Sequence, residues 1–259
     1  MAIPVIEGWT VNDTGGATAS SITLSKPSGV QVNDLLLIMV GADNSNVAGW
    51  STLSGWTQFI NFNNSTADAD IACYWRIADG TEDATVAVGH PTSCELFGWY
   101  IRISGANTIT PIHLVGTPQG TSGTSHIVFA INTTIDDCLA FFILAFDGGD
   151  TTYFNVTGSG WVKGDDQWSG TSGTDASGCW GSKGVPLAGS TADAGVFVST
   201  TDGSSRVQFA VAPGGEAPPT GWTPLEYDTE PPISGQFNKL LYVSEPPIPS
   251  AWNKLKYKP

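Results

Sequence analysis

Acidic pairs, isolated histidines and four cysteines are the residues of this 259-residue chain that could do chemistry. Asp68-x-Asp70, Asp147-Gly-Gly-Asp150 and Asp165-Asp166 could offer oxygen ligands to calcium. They could also set the acid and base of a glycosidase about 5 to 10 Å apart. Asp and Gly equally make β-turns at loop tips, and that is the reading the sequence favours. His90, His113 and His126 stand apart, in neither H-E-x-x-H nor H-x-H spacing, and read as packed or surface residues. Cysteines 73, 94, 138 and 179 show no C-x-x-C spacing and no histidine cluster, which argues against zinc. Their strand-like surroundings predict buried free thiols, with a disulfide as the alternative. No G-x-S-x-G elbow, Walker loop or Rossmann fingerprint occurs. The expectation is a non-enzyme without cofactor or metal.

The elements that would position these groups are strands. Helical periodicity is nearly absent, and short runs of Val, Ile, Phe, Trp and Thr alternate with Gly, Ser, Asn and Asp clusters. The predicted strands are 21–24, 35–40, 57–61, 71–77, 84–88 and 96–104, then 125–131, 138–146, 178–181, 194–199 and 206–211. The two series match in order. Asp34-Leu35-Leu36 matches Asp137-Cys138-Leu139, Gly55-Trp56 matches Gly160-Trp161, and Cys73-Tyr74-Trp75 matches Cys179-Trp180. These matches predict an internal duplication. Residues 1–115 and 116–214 would be two tandem, related antiparallel β-sandwiches, jelly-roll-like or immunoglobulin-like. Residues common to both halves serve the scaffold, so Trp56, Trp161, Cys73 and Cys179 are read as structural. Trp50 and Trp168 lack counterparts and sit in polar stretches, which makes them the candidates for an exposed ligand-binding surface.

Residues 215–259 form a third region, an extended arm. Trp222, Phe237 and Trp252 recur every 15 residues, each followed by a leucine and a tyrosine: Leu225 and Tyr227, Leu240 and Tyr242, Leu255 and Tyr257. Proline pairs at 218–219, 231–232 and 246–247 introduce the units and favour extended chain. A unit this short cannot bury its own aromatic side chains, so these nine residues are expected to dock on a partner. Four of the chain's ten basic residues, Lys239, Lys254, Lys256 and Lys258, lie in this arm. Around Lys254, Lys256 and Lys258 the arm is therefore locally basic on an acidic chain and suited to an acidic partner surface.

The remaining composition sets limits. Twenty-four acidic against ten basic residues leave a net charge of −14, which argues against nucleic acid and anionic membrane as partners. The longest strong apolar run, Leu35 to Val40, has strand length, and the first residues lack the pattern of a signal peptide. Synthesis in a host cytoplasm is the expectation. Asn33-Asp34-Leu35-Leu36-Leu37-Ile38, Ser54-Gly55-Trp56-Thr57 and Tyr74-Trp75-Arg76-Ile77-Ala78-Asp79-Gly80-Thr81-Glu82 together resemble β-sandwich modules of tailed-bacteriophage structural proteins. The resemblance covers mainly residues 20–105 and implies a non-catalytic virion component: head decoration, fibre or tail. It implies other virion subunits as partners and a homo-oligomer. A carbohydrate-binding or host-receptor-binding tail module, contacting host glycan, is the alternative, and a glycan-active enzyme comes third.

Overall fold

The computed structural model describes residues 1–43, 49–64, 68–148, 155–170 and 175–215. It is all-β, with no helix among the described residues. One sheet has the order β1-β7-β3-β5-β4, formed by β1 (Val5–Asp13), β3 (Leu35–Asp43), β4 (Thr57–Asn64), β5 (Ala69–Ile77) and β7 (Leu96–Ser104). A second has the order β14-β10-β13-β12, formed by β10 (Cys138–Asp147), β12 (Val162–Trp168), β13 (Ala176–Val185) and β14 (Ala194–Val211). Strands β8 (Ile112–Val115), β9 (Gln119–Val128) and β11 (Asn155–Thr157) all join it through β14. A separate ribbon pairs β2 (Ala19–Ser25) with β6 (Thr85–Cys94). All these pairings are antiparallel.

Three apolar clusters hold the layers together. The central one joins alternate residues of the first sheet, Leu35, Leu37, Met39, Ile71 and Trp99, to Leu139, Phe141, Ile143, Trp180 and Phe209 of the second. The other face of β3, with Leu36, Ile38 and Val40, packs under Ile22, Leu24 and Val88 of the β2–β6 ribbon. The other face of β10, with Ala140, Phe142 and Leu144, packs under Val128 of β9 and under Val196 and Val198 from the start of β14. Strand β14 can serve two layers because its register with β9 breaks between Phe197 and Asp202, where an irregularity lets a strand turn. Phe59, Phe209, Phe141, Trp180 and Trp9 form an aromatic row through the central cluster, with successive ring centroids 5.1 to 5.9 Å apart.

The chain from Met1 to Gly215 is one compact unit, so the expected boundary at 115/116 does not separate two bodies. The central cluster draws on both sides of that boundary. Strand order nevertheless repeats: β7-β3-β5-β4 in one sheet corresponds to β14-β10-β13-β12 in the other. The turns before β4 and β12 repeat as well. Trp56 N donates to Leu53 O and Trp161 N to Gly158 O, after Gly55 at φ 77° and Gly160 at φ 79°. Such positive φ is where glycine is needed. Trp56 and Trp161 thus occupy equivalent places.

The cysteine match does not hold. Met39 pairs with Cys73, and both face the central cluster; the corresponding pair in the second sheet is Ile143 with Trp180. Cys179 pairs with Leu144 and faces the outer cluster. Matching by sequence spacing slips by one residue, and in a strand that slip exchanges faces. The match of Asp34-Leu35 with Asp137-Cys138 fails for the same reason, since Leu35 faces inward and Cys138 outward.

Packing between the sheets is tight at Phe97. A Cβ on Gly41 would lie 2.2 Å from Phe97 Cζ and 3.0 Å from Ala145 Cβ. Gly41→Ala should therefore lower stability by about 1 to 3 kcal/mol, the usual cost of overpacking a core. Adding Phe97→Leu should recover part of that loss, and thermal denaturation of the two single variants and the double variant measures the coupling.

Candidate functional site

A bulge assembles the first group of reactive side chains. In the β2–β6 ribbon, Ala19 pairs with Cys94 but Ser21 pairs with Gly89, so residues 90–93 sit opposite Ser20 alone. The extra chain folds His90 back on Cys94, with Nδ1 3.2 Å from Sγ and 3.0 Å from the Thr92 carbonyl oxygen. His90 Nε2 lies 3.3 Å from Oδ2 of Asp70 on β5. Asn63 Nδ2, on neighbouring β4, donates to the same oxygen at 3.1 Å. The Trp50 indole packs edge-on against the imidazole, with centroids 4.9 Å apart. Burial works against charge on His90, but its bonds to Asp70 and Cys94 prevail and push it up to about 10. Imidazolium donating to Asp70 carboxylate is the state this geometry supports. The arrangement is a thiol, an imidazole and a carboxylate in series, the order found in activated-nucleophile sites.

A second group lies where β3 and β10 end. The inward-facing series Met39, Gly41, Asp43 and its counterpart Ile143, Ala145, Asp147 run to the same end of the central cluster, and the Asp43 and Asp147 carboxyls hydrogen-bond each other. Burial, then the charge and hydrogen bond of Asp147, and then the charges of Glu95 and Asp68, push Asp43 up to about 8. Asp147 is raised too, chiefly by burial. Asp43 carries the proton and Asp147 accepts it, as two adjacent carboxyls require.

The sequence candidates fall differently. Trp50 is 3% exposed and wedged among Leu36, Tyr74 and other members of the outer cluster, so it cannot present its face to a sugar. Its polar flanks concealed a core residue. Trp168 closes β12 and is 41% exposed. The nine arm residues, Trp222, Leu225, Tyr227, Phe237, Leu240, Tyr242, Trp252, Leu255 and Tyr257, lie outside the described residues, as does Asp150. Asp165 is engaged by two indoles, Trp9 Nε1 at 3.1 Å and Trp99 Nε1 at 3.2 Å, and Asp166 by Lys163 at 3.0 Å. All four cysteines are free and buried.

His90 and His126 are packed residues, as their isolation in the sequence predicts. His126 is fully buried, its pKa lowered by that burial, and bonded to Ser204 Oγ at 2.7 Å and to the Gly123 carbonyl at 2.8 Å. The Asp70–His90–Cys94 group was visible only as His-x-x-x-Cys, a spacing without meaning until the bulge is known. The segment Tyr74 to Glu82, one of the three on which the resemblance rests, ends in a turn braced by its own side chains. Arg76 bonds Asp79 at 3.1 Å, Thr81 N donates to Asp79 Oδ1 at 2.9 Å, and Asp79 N donates to Glu82 Oε1 at 2.6 Å. Comparison with known proteins finds no matching family model, no matching curated protein and no matching solved structure.

The carboxyl pair makes stability depend on pH. Asp43 is raised in the folded chain above its ordinary value of 3.8, so the folded state holds a proton that the unfolded state releases. Its contribution is complete below pH ~4 and is lost as pH rises through about 8. Asn at 43 keeps a donor for Asp147 and has no proton to lose. Asp43→Asn should flatten the melting temperature between pH 4 and pH 8, on the order of those two values, and raise it above wild type at the alkaline end. A pH series of thermal melts measures this.

Proposed function

We propose that this protein is a non-catalytic structural component of a virus particle, a head decoration, fibre or tail part, held to neighbouring subunits by its C-terminal repeats. The observation that carries the reading is the threefold 15-residue aromatic repeat, which begins where the compact unit ends at Gly215. The resemblance of residues 20–105 to tailed-bacteriophage sandwich modules supplies the virion setting. Within the compact unit we infer two related sandwiches, each an inner sheet with its own cover, packed back to back. Repeated strand order supports that inference.

Attachment through the repeats follows from their chemistry. Each aromatic ring can bury about 150 to 250 Å² against a partner. At roughly 25 cal/mol per Å² that is about 4 to 6 kcal/mol before ordering costs, so a single unit holds weakly. Three linked units hold well, because each contact raises the effective concentration of the next. The chain's net charge of −14 fits solubility before assembly. A glycan-binding role has one observation in its favour, the exposed indole of Trp168.

Deleting 216–259 tests the proposal. Residues 1–215 should melt cooperatively at nearly the full-length temperature, while self-association and incorporation into particles are lost. Trp252→Ala should weaken incorporation by a smaller step. Sedimentation and particle co-purification read both. Normal assembly of the truncated chain would place attachment elsewhere, and loss of its cooperative melt would make the arm part of the core.

A further inference from the structure

We propose that Cys94 is a reactive thiol, a modification site for hydroperoxides and other small electrophiles, with His90 as its proton relay and Asp70 as the residue that positions the ring. The four cysteines form an internal comparison. Cys73 and Cys179 have only apolar cores around their sulfurs, and Cys138 is held by the backbone, its Sγ 3.5 Å from the Ile135 carbonyl. Burial pushes all three thiols up, Cys138 to about 11, which keeps them protonated and inert. Cys94 alone has an imidazole nitrogen at 3.2 Å, and that imidazole is oriented from its far side by a carboxylate. A thiol so placed differs from its neighbours in having a ring N–H beside its sulfur that can hand a proton to a leaving group and take the thiol's in return.

The size and chemistry of the reagent follow from the surroundings. Cys94 is 4% exposed and His90 is equally buried, so a peptide or sugar is too large for this sulfur, and the reagent proposed is one of two or three heavy atoms. Among the described residues, four buried side-chain N or O atoms have no hydrogen-bond partner. Two of them belong to this group: the Trp50 Nε1 donor and the Asp70 Oδ1 acceptor. A hydroperoxide carries both a donor and an acceptor, the two kinds of group left over here.

The reaction balances without a further reagent. Cys94 sulfur attacks one peroxide oxygen, the S–O bond forms and the O–O bond breaks. Sulfur loses two electrons and the peroxide gains them. The His90 Nδ1 proton goes to the departing oxygen, which leaves as water or alcohol, the thiol proton then takes its place on the ring, and Cys94 becomes a sulfenic acid.

The full-length chain is treated at pH 7 with hydrogen peroxide for set times, then unfolded in the presence of dimedone to trap sulfenic acid, and each cysteine is followed by peptide mass spectrometry. Cys94 should be oxidised at least about tenfold faster than Cys73, Cys138 and Cys179. His90→Gln should bring Cys94 down to the level of the others and change its pH–rate profile to that of an ordinary thiol, while the melting temperature checks the fold. Asp70→Asn should give an intermediate rate. The proposal is overturned if Cys94 in the wild-type chain labels no faster than the other three, a comparison that needs no variant. It is equally overturned if folded His90→Gln labels at the wild-type rate.

Discussion

A strand covered on both faces has no side on which to place a polar residue, and strands β3 and β10 are in that position. Leu35 to Ala42 are all buried, alternate residues entering the central and outer clusters, and Cys138 to Phe146 behave the same way. Each large side chain so placed contributes about 1.5 to 3 kcal/mol. Those two runs therefore fix the register of every strand that pairs with them, since a one-residue slip would exchange two different cores rather than a core and solvent. The central strands hold the layers together, and the outer ribbons shield them from water.

Inside such a stack, polar side chains survive only when bonded to their own layer or the next. Arg206 Nε donates to the Ile127 carbonyl at 2.7 Å and Gln208 Nε2 to the Val128 carbonyl at 2.9 Å, tying β14 to β9. Thr191 Oγ1 completes the set by donating to Gln208 Oε1 at 2.6 Å. Asp34, buried at the start of β3, accepts from Gln31 N at 2.7 Å and Arg102 Nε at 2.5 Å. The Asp70–His90–Cys94 group obeys the same rule with one difference: it leaves a donor and an acceptor over. The carboxyl pair at Asp43 and Asp147 meets the rule by retaining a proton.

Much of the strand inventory was legible because it depends on local pattern. The apolar run 35–40 and the run 138–146 announce doubly covered strands by lacking alternation. Gly55-Trp56 and Gly160-Trp161 announce equivalent turns, since glycine at positive φ followed by a core indole is a local requirement. What failed was non-local. Cys73 and Cys179 look equivalent by distance along the chain but lie on opposite faces, because face is set by pairing and not by count. Trp50 looked exposed from its neighbours in sequence, while its burial is decided by β2, β5 and β6 folding over it. The His90 group needed a bulge that no residue type signals, and the apolar covers of both sheets hide the fact that residues on either side of 115 share one core.

The packing around Phe97 shows what a single chain can do that a pair of identical subunits cannot. Gly41 pairs with Phe97 in one sheet, and Ala145 pairs with Ser205 in the other, so Phe97 and Ser205 hold corresponding positions. Ile71 and Gly178 correspond in the same way, as partners of Gly41 and Ala145. The Phe97 ring occupies the space over Gly178, where an added Cβ would come within 2.4 Å of it. Ser205 is small and bonds the Ala69 carbonyl, two residues from Ile71. Bulk is therefore traded across the interface: large against absent on one flank, small against medium on the other. A homodimer must write every position twice and would have to choose one residue for both flanks. The fit at this junction is a lock and a differently cut key made from corresponding places, and it ties the two sheets of this chain to each other.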